Sequence, residues 1–115
     1  MQMDERHEGS VLIVSPKEQA LDAYAAPGFR DRLSECIAQG HHRIVLDLSD
    51  VDFLDSTGLG AIVSSFKRLD GRGTMIICNA HEMVLDVFRL TRMDRVFAIA
   101  PSLERALEIA ADRAA

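Results

Sequence analysis

Arg43-Ile44-Val45-Leu46-Asp47-Leu48-Ser49-Asp50-Val51-Asp52-Phe53-Leu54-Asp55-Ser56-Thr57-Gly58-Leu59-Gly60 joins an apolar strand, an acidic turn and a helix start in one short run. Ile44, Leu46 and Leu48 fall on one face of the strand and Val45 on the other. A strand that is apolar on both sides suits the centre of a sheet covered on both faces. The spacing predicts a helix over 57–70. Leu59, Ile62, Val63, Phe66 and Leu69 make one apolar stripe along it. Lys67 and Arg68 fall in its last turn, where cations favour the helix dipole. Gly71 and Gly73 then act as a stop.

The same alternation continues on both sides. Val11-Leu12-Ile13-Val14, bounded by Ser10 and Ser15-Pro16, reads as a strand, and 17–21 as a weaker one. These first two strands suggest an antiparallel pair. Pro27 suits the first turn of a helix that carries Phe29, Leu33, Cys36 and Ile37 at helical spacing and ends at Gly40. Downstream, 74–78 reads as a buried strand. A short helix over 81–90 follows, with Val84, Leu85 and Phe88 on one face, and then a short strand at 96–99. Ser102 caps a final helix with Leu103, Ala106, Leu107 and Ala110. The expected architecture is α/β: a single small domain in which a mixed, mostly parallel β-sheet packs with about four helices joined by right-handed crossovers. The domain spans 1–115 with its core at about 10–110, and 1–9 and 111–115 read as loose termini.

Composition narrows the function. With 115 residues, 48% hydrophobic and 27% charged, the chain reads as one globular domain with a real core. No segment approaches the ~20 apolar residues of a membrane span, and the first residues are polar, so a cytoplasmic protein without membrane insertion is expected. The net charge is −5 and no basic cluster exceeds Lys67-Arg68, which argues against nucleic acid. Trp is absent and Tyr24 is the one tyrosine, so a base-stacking platform is not expected either. Cys36 and Cys78 read as small reduced core residues. His7, His41, His42 and His81 read as solvated turn residues, with no metal-ligand spacing among them.

Ser56 is the candidate functional centre. A hydroxyl at a helix start sits beside unpaired N–H groups and the positive end of the dipole, where a phosphate is tolerated and inverts the local charge. The bland reading of Asp55-Ser56-Thr57 is a helix cap. Against a cap alone stand the crowding of Asp52 and Asp55 and the presence of Gly58 and Gly60. Each glycine costs ~1 kcal/mol inside a helix and bares its surface to a close approach. Enzyme readings fail on spacing. An aspartic protease wants Asp-Ser-Gly or Asp-Thr-Gly, and here an extra residue intervenes. A serine hydrolase elbow wants Gly where Leu54 stands. No phosphate loop with a lysine occurs. Asp22 lies in the loop entering the first helix, which in a mostly parallel sheet can open on the same edge as Ser56.

The residues 45–60 strongly resemble the core of the bacterial STAS domains known as anti-sigma factor antagonists. Leu21-Asp22-Ala23-Tyr24-Ala25-Ala26-Pro27, Leu90-Thr91-Arg92-Met93-Asp94-Arg95-Val96-Phe97 and Pro101-Ser102-Leu103-Glu104-Arg105-Ala106-Leu107 extend the resemblance to about positions 10–110. Departures are Gln19 in Gln19-Ala20-Leu21-Asp22, where relatives carry the Gly of Gly-x-Leu-Asp, and Arg92, where they carry Gly. Family members also often have Ser at 57. The resemblance implies a non-enzymatic protein that binds an anti-sigma factor serine kinase and frees a sigma factor. The kinase, which carries the ATP and magnesium, would phosphorylate Ser56, with Thr57 as second choice, and a serine phosphatase would reset it. No cofactor is implied for this chain itself. The implied contact surface comprises Asp22, Asp52, Asp55, Ser56, Thr57, Gly58, Leu59 and Gly60, on a protein expected to be monomeric when free. The rival expectation is a non-switching STAS binding or scaffold subunit of a transporter or signalling assembly.

Overall fold

Met3–Glu8 (β1) and Val11–Pro16 (β2) form an antiparallel hairpin turned by Gly9, which sits at φ +58. The structure, a computed structural model, describes residues 1–112. Along them follow Ala20–Leu21 (β3), Ala26–Ala38 (α1), Arg43–Asp47 (β4), Phe53–Leu54 (β5), Ser56–Arg68 (α2), Thr74–Cys78 (β6) and Glu82–Leu90 (α3). A 3-10 turn at Met93–Arg95, Ala98–Ala100 (β7) and Leu103–Asp112 (α4) complete the order.

β1 lies where the sequence suggested a loose end. An edge strand needs only one anchored face, and β1 has it: Met3 packs on the core, and Glu5 takes two short bonds from the Arg32 guanidinium, at 2.5 and 2.6 Å. The hydrogen bond from Arg32 holds the Glu5 carboxyl below its usual range. The antiparallel partner of β2 is therefore β1 and not 17–21. That segment yields only β3, which leaves the main sheet and pairs in parallel with β5. Ala111 and Asp112 close α4, and the rest of the expected loose end, 113–115, lies outside the described residues.

The main sheet runs β1-β2-β4-β6-β7, parallel apart from β1, so β4 is central as its two apolar faces required. Ile44, Leu46 and Leu48 face the larger core with Phe29 and Leu33 of α1, Ile62 of α2 and Phe88 of α3. Val45 faces the other way, with Ile13 and Ile76, under Ala106 and Ala110 of α4. Three helices thus cover one face and one helix the other. Each large core side chain contributes roughly 1.5–3 kcal/mol on burial. The last strand begins at Ala98, later than the expected 96–99. The 3-10 turn intervenes and swings Phe97 into the core, where it meets Phe66 and Phe88 edge-on at 4.9 and 5.9 Å. Both cysteines are buried and free, and burial pushes the Cys78 thiol up to about 12.

Candidate functional site

β5 ends at Leu54, and Asp55 breaks the extended chain into α2 as its N-cap, at φ −104 and ψ −174. One carboxylate oxygen of Asp55 accepts from the Thr57 N–H at 2.9 Å, the Gly58 N–H at 3.0 Å and the Thr57 hydroxyl at 2.5 Å. The Thr57 hydroxyl is the largest cause holding the Asp55 carboxyl below its ordinary range, followed by the Gly58 N–H. The cap reading is thus right for Asp55, and it separates the two hydroxyls. Thr57 spends its proton on Asp55. Ser56, the first residue of the helix, is exposed, and its hydroxyl has no partner among the described residues.

The parallel pairing of β3 with β5 sets Leu21 opposite Leu54, so the residues that follow each strand, Asp22 and Asp55, leave the same edge together. The Asp55 N–H reaches the Leu21 carbonyl at 3.4 Å. Asp22 has its own local duty: its carboxylate accepts from the N–H groups of Tyr24 and Ala25 at 3.0 and 3.2 Å and organises the entry to α1. Asp52 is exposed beside them, its N–H bonded to the Gln19 carbonyl at 2.8 Å. The structure thus brings Asp22, Asp52, Asp55, Ser56 and Thr57 to one edge.

Two of the expected contact residues have other roles. Gly58 is buried, and a Cβ there would lie 2.1 Å from the Leu21 carbonyl oxygen. Its bareness lets α2 sit on β3 and does not open the helix to a visitor. Leu59 turns inward, 8% exposed, into the core. Gly60 is open on its outer side, with no atom within 4 Å of where a methyl group would stand, and so keeps that turn of the helix free for a close approach.

His81 has a role that its spacing in the sequence does not show. Its Nε2 lies 2.6 Å from the Ser49 carbonyl oxygen and 3.8 Å from the Asp52 carboxylate, tying the acidic loop to the start of α3. No local signal marks a contact between residues so far apart in the chain. Phe53, half exposed, was legible in principle, because strand alternation turns it outward when Leu54 turns in.

No hydrogen bond joins Ser56 to a histidine or a carboxylate among the described residues. Among the described residues no group of three or more His, Cys, Asp or Glu is placed to hold a metal ion, and no helix is long and apolar enough to cross a membrane. What the edge offers is an accessible hydroxyl in an acidic surround on a rigid base.

An anti-sigma F factor antagonist of Paenibacillus polymyxa is 32% identical over 103 residues, covering 88% of this chain and 85% of that one. An anti-sigma-B factor antagonist of Bacillus subtilis is 32% identical over 85 residues, 73% of this chain and 77% of that one. The crystal structure of an anti-sigma factor antagonist from Mycobacterium paratuberculosis has the same fold, with a TM-score of 0.87 at 24% identity over 95% of this chain and 92% of that one. The family model described as the STAS domain matches residues 2–106, and this chain belongs to the STAS domain family.

Proposed function

We propose that this protein is an anti-sigma factor antagonist. With Ser56 unmodified it binds a cognate anti-sigma factor serine kinase and so frees a sigma factor, and phosphorylation of Ser56 ends the binding. The kinase supplies ATP and magnesium, and a serine phosphatase restores the active form. The observation that carries this reading is the contrast between two neighbouring hydroxyls: Thr57 donates to Asp55, whereas Ser56 is exposed and unpartnered among the described residues. The antagonist relatives support the partner class.

The physics of the switch is local. A phosphate adds roughly −1.5 to −2 charges at Ser56. Within the free protein the start of α2 offsets a part of this, about 0.3–1 kcal/mol. In the docked complex the same charge would lose water next to Asp52 and Asp55, and an unpaired buried charge costs several kcal/mol. A penalty of ~3–4 kcal/mol weakens binding a few hundredfold, with no refolding needed. Titration calorimetry against the kinase tests this. Ser56→Ala is expected to bind like the wild type and Ser56→Asp at least tenfold more weakly. Equal affinity for Ser56→Asp would make the chain a passive binding module.

A further inference from the structure

Most of the cations that the fold leaves unpartnered collect at one end of the molecule. In the central strands Arg43 pairs with Thr74 at one end and Asp47 with Cys78 at the other. Ser56 belongs to the end where these strands finish. α2 and α3 start there and run back, so Lys67 and Arg68, and then Arg92 and Arg95 beyond α3, reach the opposite end. Among the described residues these four side chains make no ion pair or hydrogen bond, and Arg6 on β1 is the other cation of that kind. Lys17, Arg30, Arg32, Arg72, Arg89 and Arg105, in contrast, all face carboxylates.

A groove of about 480 Å³ lies between the ends of α1 and α2, lined in part by Ile37, Ala38, His42, Lys67, Arg68 and Arg72. The acids at this end are Asp70, 3.7 Å from Arg72, with Asp94 and, on the far side of the sheet, Glu8 of the hairpin and Asp112 at the end of α4. The helix dipole explains Lys67 and Arg68 in part, through roughly half a charge at the end of α2. It does not explain Arg92 and Arg95, which stand past the end of α3. Exposed apolar side chains accompany the cations: Leu90 is 84% exposed and Val96 45%.

The Ser56 end is the complement. Asp22, Asp47, Asp50, Asp52 and Asp55 gather there, faced by Lys17, which bonds Asp4 and Asp50, and by His81. It too has exposed apolar groups, Tyr24, Phe53 and Met83. Each end thus carries exposed apolar residues where one sign of charge prevails, cations beside the ends of α2 and α3 and carboxylates beside Ser56, the makings of a contact with an apolar centre and a polar rim.

We propose that the basic end of one molecule docks on the acidic end of a second copy, head to tail. A nucleic acid or another extended polyanion fits less well, because few cations are free to neutralise its phosphates and it offers no acidic patch set among apolar groups. The contact is heterologous, so each pair keeps one free end of each kind and can extend. Exposed ion pairs are individually weak, so the association is weak and salt-sensitive. It covers the Ser56 edge and therefore competes with the docking proposed above. That consequence rests on the function proposed there, whereas the contact itself does not.

Sedimentation at rising protein concentration tests it. In about 0.02 M salt the average mass of the wild type is expected to climb beyond the monomer, and in about 0.5 M salt, where screening is within a few ångströms, to return to it. Lys67→Glu/Arg68→Glu and Asp50→Lys/Asp52→Lys are each expected to stay monomeric. Mixed, they are expected to associate again, because the intact basic end of one meets the intact acidic end of the other. The neutral pairs Lys67→Gln/Arg68→Gln and Asp50→Asn/Asp52→Asn serve if a reversed pair does not fold, and are expected to lose association in part. A wild type that stays monomeric, a single variant that associates as the wild type does, or a mixture that stays monomeric overturns the proposal. So does single-stranded oligonucleotide that binds the basic end more tightly than the second copy does.

Discussion

Gly58 and Gly60 are the same residue in the same helix turn, and the fold uses them in opposite ways. Nothing in the sequence separates them. Gly58 touches the Leu21 carbonyl, from a strand that joins α2 only in three dimensions, whereas the outer side of Gly60 is open. Gly58→Ala is therefore expected to destabilise by roughly 1–3 kcal/mol through overpacking. Gly60→Ala is expected to stabilise by about 0.5–1 kcal/mol, as Ala does in an open helix position. Denaturant midpoints decide, and equal effects at both positions would contradict the packing account. Asp55 gives a second test at this scale. Its folded carboxyl titrates below the ordinary value of 3.8, so its stabilisation is present above that value and is lost as pH falls through the lower folded one. As pH falls below about 4, the wild type is expected to lose stability more steeply than Asp55→Asn, and parallel melting curves there would refute the cap's contribution.

At the level of elements, what was legible followed from periodicity. β4, α2 and β6 announce themselves because each buries a repeating apolar pattern, and the two faces of β4 even foretold the two cores. β1 and β3 were obscure for different reasons. β1 is polar because an edge strand buries little, and its anchor is a bond between Glu5 and Arg32, residues on separate elements. β3 is two residues long, too short to show a period, yet it sets Asp22 beside Asp55. The location of the candidate site was thus readable from the acidic turn, but the reason its two loops meet was not. Amide exchange distinguishes these elements. The β1 amides are expected to exchange well before those of β4 and β6, and faster still in Arg32→Gln. Protection of β1 equal to that of β4 would show that the hairpin opens only with the whole fold.

For the whole molecule, the sheet with three helices on one face and one on the other acts as a rigid stand that holds one hydroxyl outward at the acid-rich end. Stability and signalling separate on this view. The Ser56 hydroxyl bonds no partner among the described residues, so Ser56→Ala is expected to change stability by no more than about 0.5 kcal/mol, the usual range for an open surface site. The charge asymmetry between the two ends was hidden in the sequence, since the cations are scattered along it and only the topology of α2 and α3 collects them. The central claim is that Ser56, and not Thr57, receives the phosphate. Intact-mass spectrometry after incubation with ATP and the cognate serine kinase reads it directly. A gain of about 80 Da, one phosphate, is predicted for the wild type and none for Ser56→Ala, and a full gain on Ser56→Ala would contradict it.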